Sequence, residues 1–117
     1  MHEKMIVSIR YALKGIVIAW REEINFRIDV VCALLALGLG WFFSISAVEW
    51  LIVIILIGFV LSAEAFNTAL EEFCDMVKGD PDPHIAKIKD LGAAAVLIAA
   101  TASLFVGAII FLPKIFA

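Results

Sequence analysis

Residues 51–75 read LIVIILIGFVLSAEAFNTALEEFCD, an uncharged apolar run that continues into an acidic segment. No Gly-Pro or Asn-Gly break separates the two parts, so one helix is expected to carry both. At about 100° per residue, Glu64, Asn67, Glu71 and Asp75 fall within an arc of roughly 80° on that helix. Acidic side chains on a membrane helix are unfavourable and normally face a bundle interior, so this face is a candidate functional site.

The composition is that of a membrane protein. The chain has 117 residues, of which 64% are hydrophobic and 18% charged, whereas soluble domains are only about 45–50% apolar. This length predicts a single membrane domain over residues 1–117. No cleavable signal peptide is evident, and the first span is expected to act as the insertion signal. Cys32 and Cys74 lie in predicted helices, where buried hydrophobic roles are favoured over a disulfide.

The apolar pattern predicts an all-α fold of one amphipathic helix and three membrane helices. The amphipathic helix covers about residues 3–20 and is basic on its polar side, which favours a position in the membrane interface. A soluble partner helix is the alternative binding surface for it. The spans are predicted at about residues 30–48, 50–77 and 91–112, each long enough for a hydrocarbon core of about 30 Å.

The distribution of Lys and Arg predicts the orientation. Apart from Lys114, these residues cluster within residues 4–27 and 78–89, so the positive-inside rule places the N-terminus and the 78–90 loop in the cytoplasm. The loop at residues 78–84 contains Pro81 and Pro83, which should end the second span. The outer connection, around residues 44–49, is short and makes the first two spans antiparallel neighbours. No nucleic-acid partner is expected.

Depth in the membrane separates the acids on the second span. Counting from Trp50 at the outer boundary, Glu64 lies about 21 Å in and Glu71 about 31 Å in. Glu64 is therefore expected below the cytoplasmic surface, Glu71 at the surface, and Asp75 in water. A desolvated carboxyl at the depth of Glu64 suits a general base. Three thin helices cannot easily hide this face from lipid, which predicts an oligomer.

The interface also holds candidates for binding a cation and a polyphosphate. Glu71 can bind a hard cation such as Mg²⁺, and Glu23 is a second candidate ligand at the same level. The alternative for Glu23 is an exposed i,i+4 ion pair with Arg27. Lys89, beside Asp90, is either a cation for a polyphosphate or an ordinary snorkelling lysine. The sequence contains no soluble-type phosphate-binding loop and no kinase H-R-D motif, and its two histidines are too isolated to suggest zinc.

Taken together, these residues resemble the small integral-membrane diacylglycerol kinases of bacteria, a family that includes undecaprenol kinases. The segment from Glu64 to Asp75 is similar to the family signature E-x-x-N-[ST]-A-[IL]-E-x-x-x-D. Further similar blocks are Trp20 to Arg27, Tyr11 with Lys14-Gly15, and Lys89-Asp90. The four blocks occur in order and cover nearly the whole chain.

The resemblance implies ATP- and Mg²⁺-dependent transfer of the γ-phosphoryl group to a lipid alcohol by a homotrimer in the bacterial inner membrane. It implies that neighbouring subunits share the active sites. Glu64 then corresponds to the catalytic base, and Asn67 orients the reacting groups. Glu23 and Glu71 correspond to the metal ligands. The residues expected at the nucleotide are Tyr11, Lys89 and Asp90 as ATP contacts, and Asp75 in support.

Two departures from the family pattern bear on the substrate. Ala12 and Ala93 stand where the diacylglycerol-specific branch has serines, so hydroxyls that could bind a glycerol headgroup are missing. Undecaprenol is therefore favoured, with diacylglycerol as the alternative. The loop at residues 80–84 also differs, and no nucleotide contact is assigned to it. Two other classes stay open: a proton- or cation-conducting oligomer using Glu64, and a non-catalytic scaffold whose acids pair with a partner helix.

Overall fold

The computed structural model describes residues 2–77 and 82–117, which form four helices. These are α1 (His2–Glu22), α2 (Ile24–Phe42), α3 (Ala47–Val77) and α4 (Pro83–Ile115). By length and composition, α2, α3 and α4 can each cross a membrane. The predicted all-helical chain with three such helices is confirmed, whereas the interfacial position of α1 stays a prediction.

The junction between α1 and α2 is a single extended residue. Glu23 has φ −115° and ψ 108°, and α2 begins directly after it at Ile24. Ala19 and Phe26, on either side of the junction, are buried. The i,i+4 ion pair between Glu23 and Arg27 does not form within the described ranges, and the Arg27 Nε is buried without a hydrogen-bond partner. The extended backbone at Glu23 explains this, because i,i+4 side chains face each other only along a continuous helix.

The outer turn lies earlier than predicted. Helix α2 ends at Phe42, and residues 43–46 lead into α3, with Ser44 in the left-handed region at φ 51°. The Ser46 N–H donates to Glu49 Oε1 (3.0 Å) and the Glu49 N–H donates to Ser46 Oγ (3.2 Å), which forms a capping box. The predicted span of residues 30–48 therefore extends too far, because no charge marks the turn.

Close helix approach shapes the end of the bundle where α2 meets α3. A methyl group at Gly40 would lie 2.9 Å from the Trp50 ring, so the absence of a side chain lets α2 pack against the start of α3. Below this contact lies the buried hydrophobic cluster of Ile45, Val53, Ile110 and Phe111. Lys114 Nζ donates to Glu49 Oε2 at 2.9 Å and joins the start of α3 to the end of α4.

At the opposite end, α3 stops at Val77 and α4 starts at Pro83. Asp82 caps α4 by accepting a hydrogen bond from the His84 N–H at 2.8 Å. Pro83 and His84 therefore belong to the helix rather than to the predicted loop, since proline is well tolerated in the first helical turn. The predicted helix-ending role of Pro81 lies outside the described residues.

Candidate functional site

Glu64 lies deep on α3 and is buried. Its exposed fraction is 6%, and among residues 2–77 and 82–117 no other charged side chain is as buried. The Thr68 Oγ1 donates to the Glu64 main-chain oxygen at 3.0 Å. The burial expected for Glu64 from its depth is therefore present within a single chain, before any second subunit is considered.

Asp29 of α2 meets Glu64. The Asp29 carboxyl lies beside that of Glu64, and the Glu23 and Glu71 carboxylates lie within electrostatic range of Glu64. The sequence patterns did not single out Asp29. The only feature of the sequence that pointed to Asp29 was its position, as an acidic residue immediately before an uncharged span and at about the depth of Glu64. The contact itself depends on how α2 packs against α3.

About one helical turn further towards the C-terminal end of α3, Asn67 and Glu71 form a pair. The Asn67 Nδ2 donates to Glu71 Oε1 at 3.2 Å. The Asn67 Oδ1 is buried and has no hydrogen-bond partner within the part of the chain that the structure describes. An unpaired buried amide oxygen is unfavourable and points to a ligand, ion or water that completes it.

Asp75 and Lys89 join the last turns of α3 to the start of α4. The Lys89 Nζ donates to Asp75 Oδ1 at 2.6 Å, and both side chains are substantially exposed. Lys89 is therefore held at the end of the acidic face by an ion pair rather than extending freely into the interface. Neighbouring Asp90 is exposed, as is Tyr11 on α1. Neither makes a hydrogen bond or ion pair to any other described residue.

The oxygen donors near Glu71 suit a hard cation that takes most of its ligands from water and phosphate oxygens. No group of three or more His, Cys, Asp or Glu side chains within 2–77 and 82–117 is arranged to hold a metal ion. Glu23 and Glu71 supply hard carboxylate oxygens, and both lie within electrostatic range of Glu64. Mg²⁺ typically takes one or two carboxylates and completes its shell with water and phosphate oxygens. The residues present fit that mode of binding.

Two apolar cavities lie against α3. One, of about 590 Å³, lies among α2, α3 and α4, with Asp29 at one end and Phe111 towards the other. The second, of about 820 Å³, lies beneath α1, where Ala12, Phe26 and Thr68 contribute to its wall. Both are lined mainly by apolar side chains, as a hydrocarbon chain requires.

Comparison with known proteins identifies the family. Residues 10–111 match the family model described as prokaryotic diacylglycerol kinase. The "Undecaprenol kinase" of Bacillus subtilis is 36% identical over 108 residues, which cover 92% of this chain and 88% of that protein. The "Diacylglycerol kinase" of Escherichia coli K12 is 31% identical over 96 residues, covering 82% and 79%. The chain therefore belongs to the prokaryotic diacylglycerol kinase family and is a multi-pass membrane lipid kinase.

Proposed function

We propose that this chain transfers the γ-phosphoryl group of ATP to undecaprenol in an Mg²⁺-dependent reaction. The observation that carries the proposal is the order of groups along α3. A buried carboxyl, Glu64, lies on the membrane side of the Asn67–Glu71 pair. Asp75 and its partner Lys89 follow at the cytoplasmic end. A lipid hydroxyl reaching Glu64 from the membrane would thus meet a phosphate held from the cytoplasmic side.

In the proposed reaction, Glu64 accepts the proton of the lipid hydroxyl as its oxygen attacks the γ-phosphorus of ATP. The bond between the γ-phosphorus and the bridging oxygen to the β-phosphate breaks, and ADP leaves with that oxygen. The products are a lipid monophosphate and ADP. Asp29, in contact with Glu64, holds the base carboxyl in place. Burial of Glu64 excludes water that would compete with the lipid hydroxyl as acceptor.

The nucleotide is proposed to bind at the cytoplasmic end of the same face. Glu71 and Glu23 would hold Mg²⁺, which supplies positive charge to the ATP phosphates when bound. Asn67 orients the reacting groups through its amide. Lys89 contributes a cation for the polyphosphate, and Asp75 keeps the Lys89 ammonium at this position. The resemblance adds Asp90 and Tyr11 as ATP contacts, and both are exposed and accessible to a soluble ligand.

Two positions favour undecaprenol over diacylglycerol. Ala12 contributes to the cavity beneath α1, and Ala93 is exposed on α4 next to the site. Neither side chain can hydrogen-bond the second polar group of a glycerol headgroup, whereas a polyprenol has a single hydroxyl. The relative named "Undecaprenol kinase" is also more similar to this chain than the Escherichia coli "Diacylglycerol kinase", at 36% against 31% identity.

The working enzyme is proposed to be a homotrimer in the bacterial inner membrane, with its N-terminus and 78–90 loop in the cytoplasm. A single subunit leaves large apolar side chains of α3 uncovered near the acids, including Phe66 at 70% and Phe73 at 59% exposure. Neighbouring subunits would cover such side chains and complete the shared sites. Helix α1 would lie in the cytoplasmic interface, with its exposed apolar side chains in lipid.

The test is a side-by-side kinase assay in mixed micelles with Mg²⁺ and ATP. Undecaprenol should be phosphorylated with the higher kcat/KM, and Glu64→Gln should abolish transfer to either lipid. Glu72→Gln is the matched control, because Glu72 is exposed on the same helix and next in sequence to Glu71. A kcat/KM favouring diacylglycerol tenfold or more would overturn the substrate assignment. Failure to phosphorylate any membrane alcohol would overturn the proposed reaction.

The conducting oligomer is disfavoured by the outer half of α3. Residues 51–58 contain no polar side chain, and Val53 is buried against Ile110 and Phe111. The scaffold alternative is removed by membership of a kinase family. Glu64-dependent ion flux in liposomes without ATP would be needed to revive a conducting role.

A further inference from the structure

Gly92 lies where α4 crosses the acidic face of α3. It is buried, and a methyl group at this position would overlap the Asn67 Oδ1 and come within 3.4 Å of Leu70 Cδ1. No described glycine has a positive φ, so Gly92 is not needed for an unusual backbone conformation. Helix propensity alone would favour alanine at this position. Glycine is therefore required here because there is no room for a side chain.

The side-chain amide of Asn67 occupies the space beside Gly92, and moving it would disturb its hydrogen bond to Glu71. Asn67 donates through Nδ2 to Glu71 Oε1 at 3.2 Å, and its buried Oδ1 faces Gly92. Leu70, on the other side of the added methyl group, limits how far α4 could shift along α3. A side chain at position 92 would therefore push the Asn67 amide away, and the hydrogen bond to Glu71 would lengthen or break.

We propose that Gly92 is a positioning residue for the kinase reaction. Because Gly92 has no side chain, α4 can pack directly over the Asn67 amide. This packing holds the amide in the orientation in which it donates to Glu71. Gly92 would act through Asn67 and Glu71 and need not touch substrate. This inference rests on the proposed function, in which Asn67 and Glu71 serve the ATP–Mg²⁺ end of the site.

The first test measures packing, independently of catalysis. In Gly92→Ala, the side-chain amide NMR resonance of Asn67 should shift relative to wild type. The control is Gly107→Ala on the same helix, whose added methyl group meets nothing within 4 Å. It should leave the Asn67 resonance unchanged. An unmoved Asn67 resonance in folded Gly92→Ala would overturn the proposal, whatever the kinase assay shows.

The second test is a double-mutant cycle on the binding of a non-hydrolysable ATP analogue in the presence of Mg²⁺. Gly92→Ala should weaken binding about tenfold in the wild-type background and have little further effect in Asn67→Ala, where truncation frees the space. The KM for the lipid should change little. Equal losses in both backgrounds, or no loss in wild type, would overturn the positioning role.

Two further outcomes separate the positioning role of Gly92 from the proposed kinase function. If Gly92→Ala fails to fold, recovery of a folded protein in Asn67→Ala/Gly92→Ala supports the proposed contact. Failure of the double variant, with Gly107→Ala folded, would overturn it. If the wild-type protein binds no ATP analogue with Mg²⁺, both the proposed function and the positioning role fail. A shifted Asn67 resonance would then show only a packing contact.

Discussion

Replacing Glu64 with glutamine tests the proposed role of the Glu64 carboxylate as the base that accepts the proton of the lipid hydroxyl. The side chains are nearly the same size, and the glutamine amide can still donate a hydrogen bond to Asp29, which contacts Glu64. The buried position is therefore expected to stay packed, with no new cavity and no new charge. What the variant loses is an oxygen able to accept the proton of the lipid hydroxyl.

The expected effect follows from that loss. General-base catalysis contributes about 10²- to 10⁴-fold to the rate, or about 3–5 kcal/mol of activation free energy. Glu64 is only 6% exposed, so bulk water has little access to replace it as base. Asp29 is the nearest group that could take over in part. We therefore expect a fall of this size in kcat, and a lower residual rate still when Asp29→Asn is added.

The assay is initial-rate phosphorylation of undecaprenol in mixed micelles, with ATP and lipid each varied. The KM for ATP should stay within about threefold of wild type, since the nucleotide is proposed to bind at the other end of the face. Thermal unfolding of Glu64→Gln should match wild type. A kcat within about threefold of wild type, or a loss confined to the KM for ATP, would refute the assignment of Glu64 as base.

Four further variants test other parts of the molecule. Glu71→Gln should raise the Mg²⁺ concentration for half-maximal activity about tenfold or more, as loss of even an outer-shell group typically does; an unchanged Mg²⁺ titration would exclude Glu71 as a ligand. Lys89→Met should raise the KM for ATP several-fold but not that for lipid, and equal increases in both would count against a nucleotide role. Ala93→Ser should shift kcat/KM towards diacylglycerol, whereas an unchanged ratio between the lipids would show that this hydroxyl does not select the headgroup. Ala99 is fully buried, so Ala99→Leu should overpack the bundle and lower the free energy of unfolding by about 1–3 kcal/mol; retention of wild-type stability in a detergent unfolding titration would contradict this packing.

The acidic face of α3 could be predicted from sequence because it depends on one helix. The offsets of Glu64, Asn67, Glu71 and Asp75 determine their common face wherever the helix packs. Counting from Trp50 likewise orders the acids by depth. The three apolar helices follow from composition for the same reason, since each run of uncharged residues is long enough to cross a membrane.

Helix ends were less accessible to sequence reasoning. The turn at residues 43–46 carries no charge, and the sequence predicted the connection around residues 44–49, whereas the capping box of Ser46 and Glu49 already begins α3 there. At the other end, Pro83 was expected to lie in a loop but begins α4. Proline can follow the end of one helix or stand in the first turn of the next, so Pro83 alone does not distinguish a loop from a helix start. The Asp82 cap shows that Pro83 belongs to the first turn of α4.

What the sequence alone determined was therefore everything that lies along one helix: the number of apolar helices, the acidic face and its order in depth. Only the tertiary structure decided which groups meet across helices. It brought Asp29 of α2 to Glu64, Lys89 of α4 to Asp75, and Gly92 against Asn67. Periodicity gives the direction of a side chain about its own axis, but which residues meet depends on the distance and relative rotation of two helices. Those are set by the packing of all the side chains between them.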